Sequence, residues 1–337
     1  MRAAVLHTHG EAPTHIEHPD PVAGQGVSIV RVTAAPVVPL DLLCASGTSY
    51  FGPPALPYVP GVQGVGVVEQ SEVVAAGTRV FFATSAGMAA GDGSLAELCA
   101  VPDGDLVVLD PTGVSDAAVA AIGLSGVAGW MALTWRARME PGASVLVLGG
   151  GGAVGQVAIG AARVLGAARV VAVARSDASR ERALAAGADE VVAASTDVDE
   201  LTGQLARAAS AGPEGAPGDS AYDVVIDPVF GTAATAAARV LAPGGRLVNL
   251  GGSSGDEAVF SSSVLRSRSA SVLGYTNNAL TADQRRDALT AVLQHAAFGA
   301  IAVAHETVTL ADVAAAWKRQ AAGDTTGRVV LTITADG

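Results

Sequence analysis

A glycine cluster between an apolar run and a helical pattern is the part of this chain best suited to binding phosphate groups. Residues 144–148 form an apolar run typical of a buried parallel strand, four glycines follow, and a helical pattern comes next. Gly150, Gly152 and Gly155 fit the spacing G-x-G-x-x-G at this junction. The first glycine allows a tight turn, the second lets the backbone approach a pyrophosphate, and the third lets helix and strand pack closely.

The helix that follows these glycines should supply the remaining phosphate donors. It begins with Ala153 and Val154. The first N–H groups of a helix lack partners and carry a partial positive charge, so they favour an anion. We therefore predict a nucleotide-binding site; the alternative is a glycine-rich turn in an ordinary α/β unit.

Cationic and hydroxyl residues follow the next predicted strand. Proteins that bind NAD usually have an acidic residue here for the ribose 2′-OH, whereas this chain has Arg175, Ser176 and Arg180. These donors suit a 2′-phosphate, which favours NADP(H) over NAD(H). Two alternatives remain open: Asp177 could accept from a hydroxyl, or the segment is a solvated loop in which Ser179 caps a helix.

The histidines and cysteines favour neither a metal nor a disulfide framework. His7 and His9 could hold a metal along one strand face, but solvated side chains are the preferred interpretation. Cys44 and Cys99 lie far apart in the sequence and have no zinc-finger spacing.

A second motif, at residues 251–255, has the form G-x-S-x-G found in the nucleophile elbow of hydrolases. That elbow requires a strand, a sharp turn and then a helix. A strand is predicted before this motif, but residues 256–263 do not open with a clear amphipathic helix. We therefore set the hydrolase interpretation aside.

Composition narrows the possible partners. The chain has 337 residues, half of them hydrophobic, and a formal net charge of −12. Binding to nucleic acid or to an anionic membrane needs basic patches, so neither is an expected partner. The N-terminus has no signal-peptide apolar region, and the glycines in the apolar window 143–162 argue against a spanning helix. We expect a cytoplasmic protein.

The predicted elements change character along the chain. Short strands at residues 27–32, 64–69, 79–83 and 96–101 indicate a β-rich first part. From about residue 125, strands alternate with helices, which predicts a doubly wound parallel sheet in an α/β domain. The strands of this second part are predicted at 145–148, 170–174, 190–192, 224–227 and 246–250, and the helices at 154–165, 181–186, 198–209 and 233–241.

The end of the chain should return to the first part. A helix at 282–297, a strand at 301–307, a helix at 310–322 and a strand at 328–333 are predicted there, and this tail is too short to stand alone. The predicted domains are therefore 1–124, 125–277 and a return segment 278–337. Residues 211–220 are predicted to be a glycine- and proline-rich surface loop.

Motifs in this order resemble the medium-chain dehydrogenase/reductase superfamily, in its zinc-free quinone oxidoreductase branch. Besides the glycine motif, the matching segments are 1–5, 39–47, 59–68, 93–97, 184–189, 222–227, 241–248 and 327–331. The resemblance implies a GroES-like β domain and a Rossmann domain with the active site in the cleft between them. It also implies cofactor contacts at Gly251, Gly252, Ser253 and Arg328.

The resemblance also identifies positions where zinc-dependent members carry metal ligands. Val38 and Val62 stand at two of them, and Gln63 stands where those members have a glutamate. Valine cannot ligate zinc, so we predict that no metal takes part. Quinone oxidoreductases often have asparagine at the position of Val38, so the usual substrate geometry is not expected here.

One tyrosine is a candidate for the chemistry. Tyr50 resembles the tyrosine of a Ser-Gly-x-Tyr stretch that borders the substrate cleft in quinone oxidoreductases, although one extra residue precedes it here. A tyrosine can donate a proton or orient a carbonyl group. The alternative is that Tyr50 only lines the cleft.

We therefore predict an NADPH-dependent reductase that transfers hydride to a quinone, an enone or an enoyl compound. The alternatives are a tailoring reductase for one biosynthetic intermediate and a non-catalytic NADPH-binding or redox-responsive protein. Residues 271–275 form a short apolar strand, and in the resembled family this edge strand pairs with its copy. An apolar edge favours pairing, so we predict a homodimer.

Overall fold

The computed structural model describes residues 1–109, 113–210 and 221–333, which form two compact units. The first unit combines Met1–Leu124 with Val303–Gly337, and the second is Ser125–Ala302. The predicted loop 211–220 lies outside the described residues.

The strands and helices of the described residues are as follows. The strands are β1 (Arg2–Val5), β2 (Thr14–Glu17), β3 (Val27–Pro36), β4 (Gln63–Gln70), β5 (Arg79–Ala83), β6 (Leu98–Pro102), β7 (Leu106–Val108), β8 (Ser144–Leu148), β9 (Arg169–Ala174), β10 (Glu190–Ala193), β11 (Tyr222–Asp227), β12 (Leu241–Asn249), β13 (Ser271–Gly274), β14 (His305–Thr309) and β15 (Arg328–Thr332). The α-helices are α1 (Pro39–Ala45), α2 (Asp116–Met131), α3 (Ala153–Val164), α4 (Asp177–Ala185), α5 (Val198–Ser210), α6 (Gly231–Ala238), α7 (Ser262–Arg268), α8 (Ala282–Ala297) and α9 (Val313–Ala322).

The second unit is built on a six-stranded sheet in the order β10-β9-β8-β11-β12-β13, with every neighbouring pair parallel. The central strands are apolar runs that are buried almost throughout, as a parallel sheet requires. Counting only this unit's strands, the order is 3-2-1-4-5-6, which is the doubly wound Rossmann order. The strand–helix alternation of the sequence predicted this architecture.

The first unit is a mostly antiparallel β structure. Its seven-stranded sheet runs β14-β15-β3-β4-β5-β7, with β6 also paired to β3, while β1 and β2 pair separately. Phe82, Leu95 and Trp317 belong to its buried core. Strand β15 pairs with β3, so the end of the chain completes the first unit's sheet, as the sequence predicted.

One predicted domain boundary is wrong. The return to the first unit was placed at residue 278, but it occurs at Val303, because α8 and the turn after it pack within the second unit. Helix α3 approaches that turn so closely that a Cβ on Gly160 would lie 2.8 Å from the carbonyl oxygen of Ala300. Amphipathic periodicity alone does not say which core a helix covers.

Three predicted elements begin four or five residues away from the expected position. Helix α4 starts at Asp177 rather than residue 181, because Ser176 caps it. Strand β12 starts at Leu241 rather than 246, since its first residue already pairs with β11. The strand predicted at 301–307 is β14, four residues later.

An apolar helical stretch, Asp116–Arg136, is long enough by length and composition to span a membrane. In the structure 61% of its apolar window is buried, as in the core helix of a soluble protein. Its backbone is also broken at Gly123 (φ 32°, ψ −132°), where a Cβ would lie 2.3 Å from the amide nitrogen of Gln63. The stretch is therefore a packed, interrupted core element. The apolar window 143–162 is likewise divided, between β8 and α3.

Candidate functional site

The carboxyl ends of β8 and β11 meet at the point where the strand order of the second unit reverses. Crevices at such switch points are the usual ligand sites of open α/β sheets. Gly149, directly after β8, adopts φ +65°, and a Cβ there would lie 2.8 Å from Cγ1 of Val229 in the loop after β11. The two loops are therefore in close contact around the switch point.

The glycines after β8 are required by close packing. A Cβ on Gly150 would lie 2.6 Å from Cβ of Ala172 in β9, and one on Gly155 would lie 2.3 Å from the carbonyl oxygen of Gly149. Gly152 is exposed, and a Cβ added to it would lie 3.3 Å from the nearest atom, the carbonyl oxygen of Gly149. The turn is thus tight on its inner side and open at Gly152.

The N-terminus of α3 offers unpaired donors at this turn. Gly152 caps the helix without a side chain. The N–H groups of Ala153, Val154 and Gly155 have no acceptor among the described residues. Free N–H groups together with the positive end of a helix favour an anion such as a phosphate.

Next to this turn, the end of β9 carries the predicted 2′-phosphate residues. The N–H of Gly150 donates to the carbonyl oxygen of Val173 (2.9 Å), which joins the loop to β9. Arg175 is exposed and has no hydrogen bond or ion pair with any residue that the structure describes. Its guanidinium is therefore available to a ligand.

The other two predicted residues are already engaged. The Ser176 hydroxyl accepts from the N–H of Ser179 (3.2 Å) and caps α4, whereas the alternative interpretation had made Ser179 the capping residue. Arg180 forms an ion pair with Asp177, three residues earlier on the same helix. A role for Arg180 with a 2′-phosphate would require this partly exposed pair to open, so Arg175 is the stronger candidate.

A buried carboxylate organises the loop after β11, and the sequence analysis missed it. Asp227 is fully buried, and its Oδ1 accepts from the N–H groups of Val229 (3.0 Å) and Phe230 (2.7 Å). Burial raises the pKa of this carboxyl. Phe230 adopts φ +58°, a left-handed conformation unusual for a bulky residue. The sequence signal that could have identified Asp227 is an aspartate at the end of an apolar strand.

The loop after β12 lies against the loop after β11. Asn249 donates to the carbonyl oxygen of Gly251 (2.8 Å), and the Ser253 hydroxyl donates to the carbonyl oxygen of Pro228 (3.3 Å). An added Cβ on Gly252 would lie 2.8 Å from the carbonyl oxygen of Gly255. No helix opens here before Ser262, so the arrangement differs from a hydrolase nucleophile elbow.

In the first unit, Tyr50 lies on the surface. Its side chain is 80% exposed and packs against the ring of Phe51, with the ring centroids 4.1 Å apart. The hydroxyl is free to meet a ligand, and the catalytic role of Tyr50 stays a prediction.

The positions at which the resemblance places zinc ligands surround a buried aspartate. Val38 and Val62 are buried, and their N–H groups donate to the carboxylate of Asp41 (2.8 and 2.9 Å). Gln63 donates to the carbonyl oxygen of Ala120 (3.0 Å). Two valines in place of ligands do not fit a zinc ion, which needs thiolate, imidazole or carboxylate donors. Throughout residues 1–109, 113–210 and 221–333, His, Cys, Asp and Glu form no group of three suited to a metal.

Arg328, a predicted cofactor contact, is buried in the first unit. Its guanidinium donates to the carbonyl oxygen of Ala121 (3.0 Å) and interacts electrostatically with Asp41. Burial raises the pKa of Asp41 to about 6 and lowers that of Arg328 to about 10, so burial outweighs the attraction for both. Packing and charge alone explain this placement, and a contact with a cofactor stays a prediction.

Family models match both units. The model described as zinc-binding dehydrogenase matches residues 153–295, and the model described as alcohol dehydrogenase GroES-like domain matches residues 24–111. The first name includes zinc, whereas valines stand at positions 38 and 62, where the resemblance places two zinc ligands.

Individual proteins give the same picture. Quinone oxidoreductase-like protein 2 of Rattus norvegicus is 32% identical over 279 residues, which cover 81% of this chain and 74% of that protein. A polyketide synthase subunit of Mycobacterium tuberculosis is 32% identical over 237 residues, which cover 69% of this chain but only 10% of the subunit. The crystal structure of the Thermus thermophilus quinone oxidoreductase, also determined with NADPH, is 27% identical, covers 98% of this chain and 100% of its own, and has a TM-score of 0.78.

We predict a pH-dependent cost of burying Asp41. An unfolded aspartate has a pKa of about 4, and burial raises the Asp41 pKa to about 6. Between these values the unfolded state loses the proton first, so the free energy of unfolding falls as the pH rises. Relative to Asp41→Asn, the wild-type protein should therefore lose stability from about pH 4 to about pH 6, measured by urea unfolding. A difference that does not change across this window would contradict the assignment.

Proposed function

The chain belongs to the medium-chain dehydrogenase/reductase superfamily, in its quinone oxidoreductase branch, and we propose that it is an NADPH-dependent oxidoreductase that reduces a conjugated carbonyl compound. The observation that carries the proposal is the site at the switch point of the second unit. There the open N-terminus of α3 lies beside the end of β9, where Arg175 replaces the usual acidic residue. The complex of the Thermus thermophilus relative with NADPH supports the choice of cofactor.

Different residues of this site bind different parts of the dinucleotide. The N–H groups of Ala153, Val154 and Gly155 face the pyrophosphate, and exposed Gly152 lets it approach the backbone. Arg175 binds the 2′-phosphate with a charge-assisted, bidentate contact. When bound, the nicotinamide supplies the hydride.

Polarisation of the substrate carbonyl does not involve zinc in this proposal. Val38 and Val62 offer no ligand, so hydrogen-bond donors must stabilise the charge that develops on the carbonyl oxygen. Tyr50 is the proposed side-chain donor, because its hydroxyl is exposed and a tyrosine can donate a proton or orient a carbonyl group. The proposed substrate class, a quinone, an enone or an enoyl compound, rests on the similarity to quinone oxidoreductases; each of these accepts hydride at carbon and a proton at oxygen or carbon.

A second candidate is a tailoring reductase for one biosynthetic intermediate. The similarity to a polyketide synthase subunit favours it, since that relative is a biosynthetic enzyme. This candidate shares the cofactor site and differs only in the identity of the substrate.

We also propose that the protein is a cytoplasmic homodimer. Strand β13 is at one end of the second unit's sheet, and Val272 in it is 36% exposed. An apolar strand at a sheet edge is shielded when it pairs with a second copy.

Turnover tests the proposal directly. We expect the protein to oxidise NADPH with a quinone, an enone or an enoyl thioester as acceptor, and not with a saturated ketone, followed by the loss of NADPH absorbance. Activity should survive dialysis against a chelator, because Val38 and Val62 cannot bind zinc. Binding of NADPH without oxidation by any acceptor would favour the non-catalytic alternative, and loss of activity with removal of stoichiometric zinc would overturn the metal-free mechanism.

Arg175→Ala tests the cofactor preference. Because the proposed partner is the 2′-phosphate, we expect NADPH affinity to fall roughly tenfold or more while NADH affinity hardly changes. Dissociation constants of both dinucleotides give the comparison. Arg180→Ala is the matched control, and its effect should be smaller because Asp177 already pairs with Arg180. Equal weakening of both dinucleotides by Arg175→Ala would disprove the assignment.

Tyr50→Phe tests the proton donor. The change keeps the ring and its contact with Phe51 and removes only the hydroxyl. If the hydroxyl is a general acid, turnover of an enone should fall by roughly 100-fold, with NADPH affinity unchanged. Unchanged turnover would remove Tyr50 from the chemistry.

A further inference from the structure

Arg182 in α4 reaches back to the glycine turn, and the sequence analysis assigned it no role. Its Nε donates to the carbonyl oxygen of Gly151 (3.0 Å), and its terminal nitrogen donates to the hydroxyl of Ser179 (2.9 Å). The side chain is half-buried. One guanidinium thus binds both the turn after β8 and the first part of α4.

The carbonyl of Gly151 is held from two sides. Besides Arg182, the side-chain amide of Gln156 donates to it (3.0 Å). The turn and α4 also touch directly, since a Cβ on Gly151 would lie 2.4 Å from the carbonyl oxygen of Ser179. These contacts are made to the carbonyl oxygen of Gly151. They do not involve the N–H groups of Ala153 and Val154, which stay available to an anion.

The hydroxyl of Ser179 is left with one hydrogen to donate. Its oxygen accepts from Arg182 (2.9 Å) and from the hydroxyl of Ser176 (3.0 Å). A serine hydroxyl has one donor and two acceptor positions. With both acceptor positions used, the O–H of Ser179 has no acceptor among the described residues, and Arg175, four residues earlier, is exposed.

We infer that Arg182 is a positioning residue that links the pyrophosphate turn to the 2′-phosphate end of the cofactor site. Through Gly151 it fixes the turn on which the α3 donors stand, and through Ser179 it orients a hydroxyl donor for the 2′-phosphate. The inference rests on the proposed dinucleotide site. It assigns Arg182 an effect on both NADPH and NADH, whereas Arg175 acts on NADPH alone.

The two contacts make separable predictions. Arg182→Met keeps an unbranched stem and removes every donor, so affinity for NADH and for NADPH should each fall roughly tenfold. Arg182→Lys keeps one cation that reaches Gly151 but cannot also bridge to Ser179, because a lysine lacks the planar fork. It should bind NADH like the wild type and remain weakened toward NADPH.

The experiment measures dissociation constants of NADPH and NADH for the wild type and these variants, with thermal unfolding midpoints alongside. Arg207→Met is the control, because Arg207 is exposed on α5 and should leave both constants unchanged. A split between the two dinucleotides in Arg182→Lys supports positioning, since a general loss of stability would weaken both alike. If Arg182→Met lowers the thermal unfolding midpoint, the dissociation constants of Arg182→Lys alone decide whether Arg182 is a positioning residue.

Two negative outcomes are distinct. If the wild type binds NADPH and Arg182→Met binds both dinucleotides within about twofold of it, the inference is overturned and the proposed function stands. If the wild type binds neither dinucleotide, the proposed function fails and the inference fails with it.

Discussion

The candidate site depends on backbone segments that approach too closely for side chains to fit between them. Where β8 turns into α3, a Cβ on Gly150 or Gly155 would overlap the neighbouring strand or the turn itself. Because the chain is this close to its neighbours, the helix starts after only four intervening glycines, and its free N–H groups lie at the turn that follows the carboxyl end of β8. Every other part of the site is placed around that turn: the end of β9, the capped start of α4 and the loop held by Asp227.

The sequence predicted the glycine turn and the parallel sheet because both are encoded locally. Apolar runs, glycine spacing and alternating periods are properties of consecutive residues, and they gave most of β8, α3 and β9 to within a residue or two. The ion pair of Arg180 with Asp177 was not predicted, because the helix was expected to begin at residue 181; residues three apart share a helix face once α4 begins at Asp177. That pair is what singles out Arg175 among the cationic residues there.

The parts that the sequence did not predict depend on tertiary contacts. Arg182 belongs to the site only because α4 packs on the turn, and no spacing rule says which carbonyl oxygen its guanidinium will reach. The same holds for α8. Its amphipathic pattern fits either unit, and only the close approach of Gly160 to the turn after α8 shows that the helix packs in the second unit. Asp41 illustrates the other limit: its sequence neighbours Leu40 and Leu42 do not show that the fold encloses its carboxylate with three backbone donors.

The pairing of β15 with β3 has a consequence for the order in which the protein is made. Val330 lies opposite Pro36, so the first unit's sheet joins segments from nearly opposite ends of the chain. The second unit is continuous and has all its strands as soon as residue 302 has been synthesised. On the ribosome it can therefore fold while residues 34–36 of β3 still lack β15, because closing so long a loop must await the last strand. During synthesis, residues 34–36 are therefore an unpaired strand edge, although β4 and β6 already pair with the rest of β3.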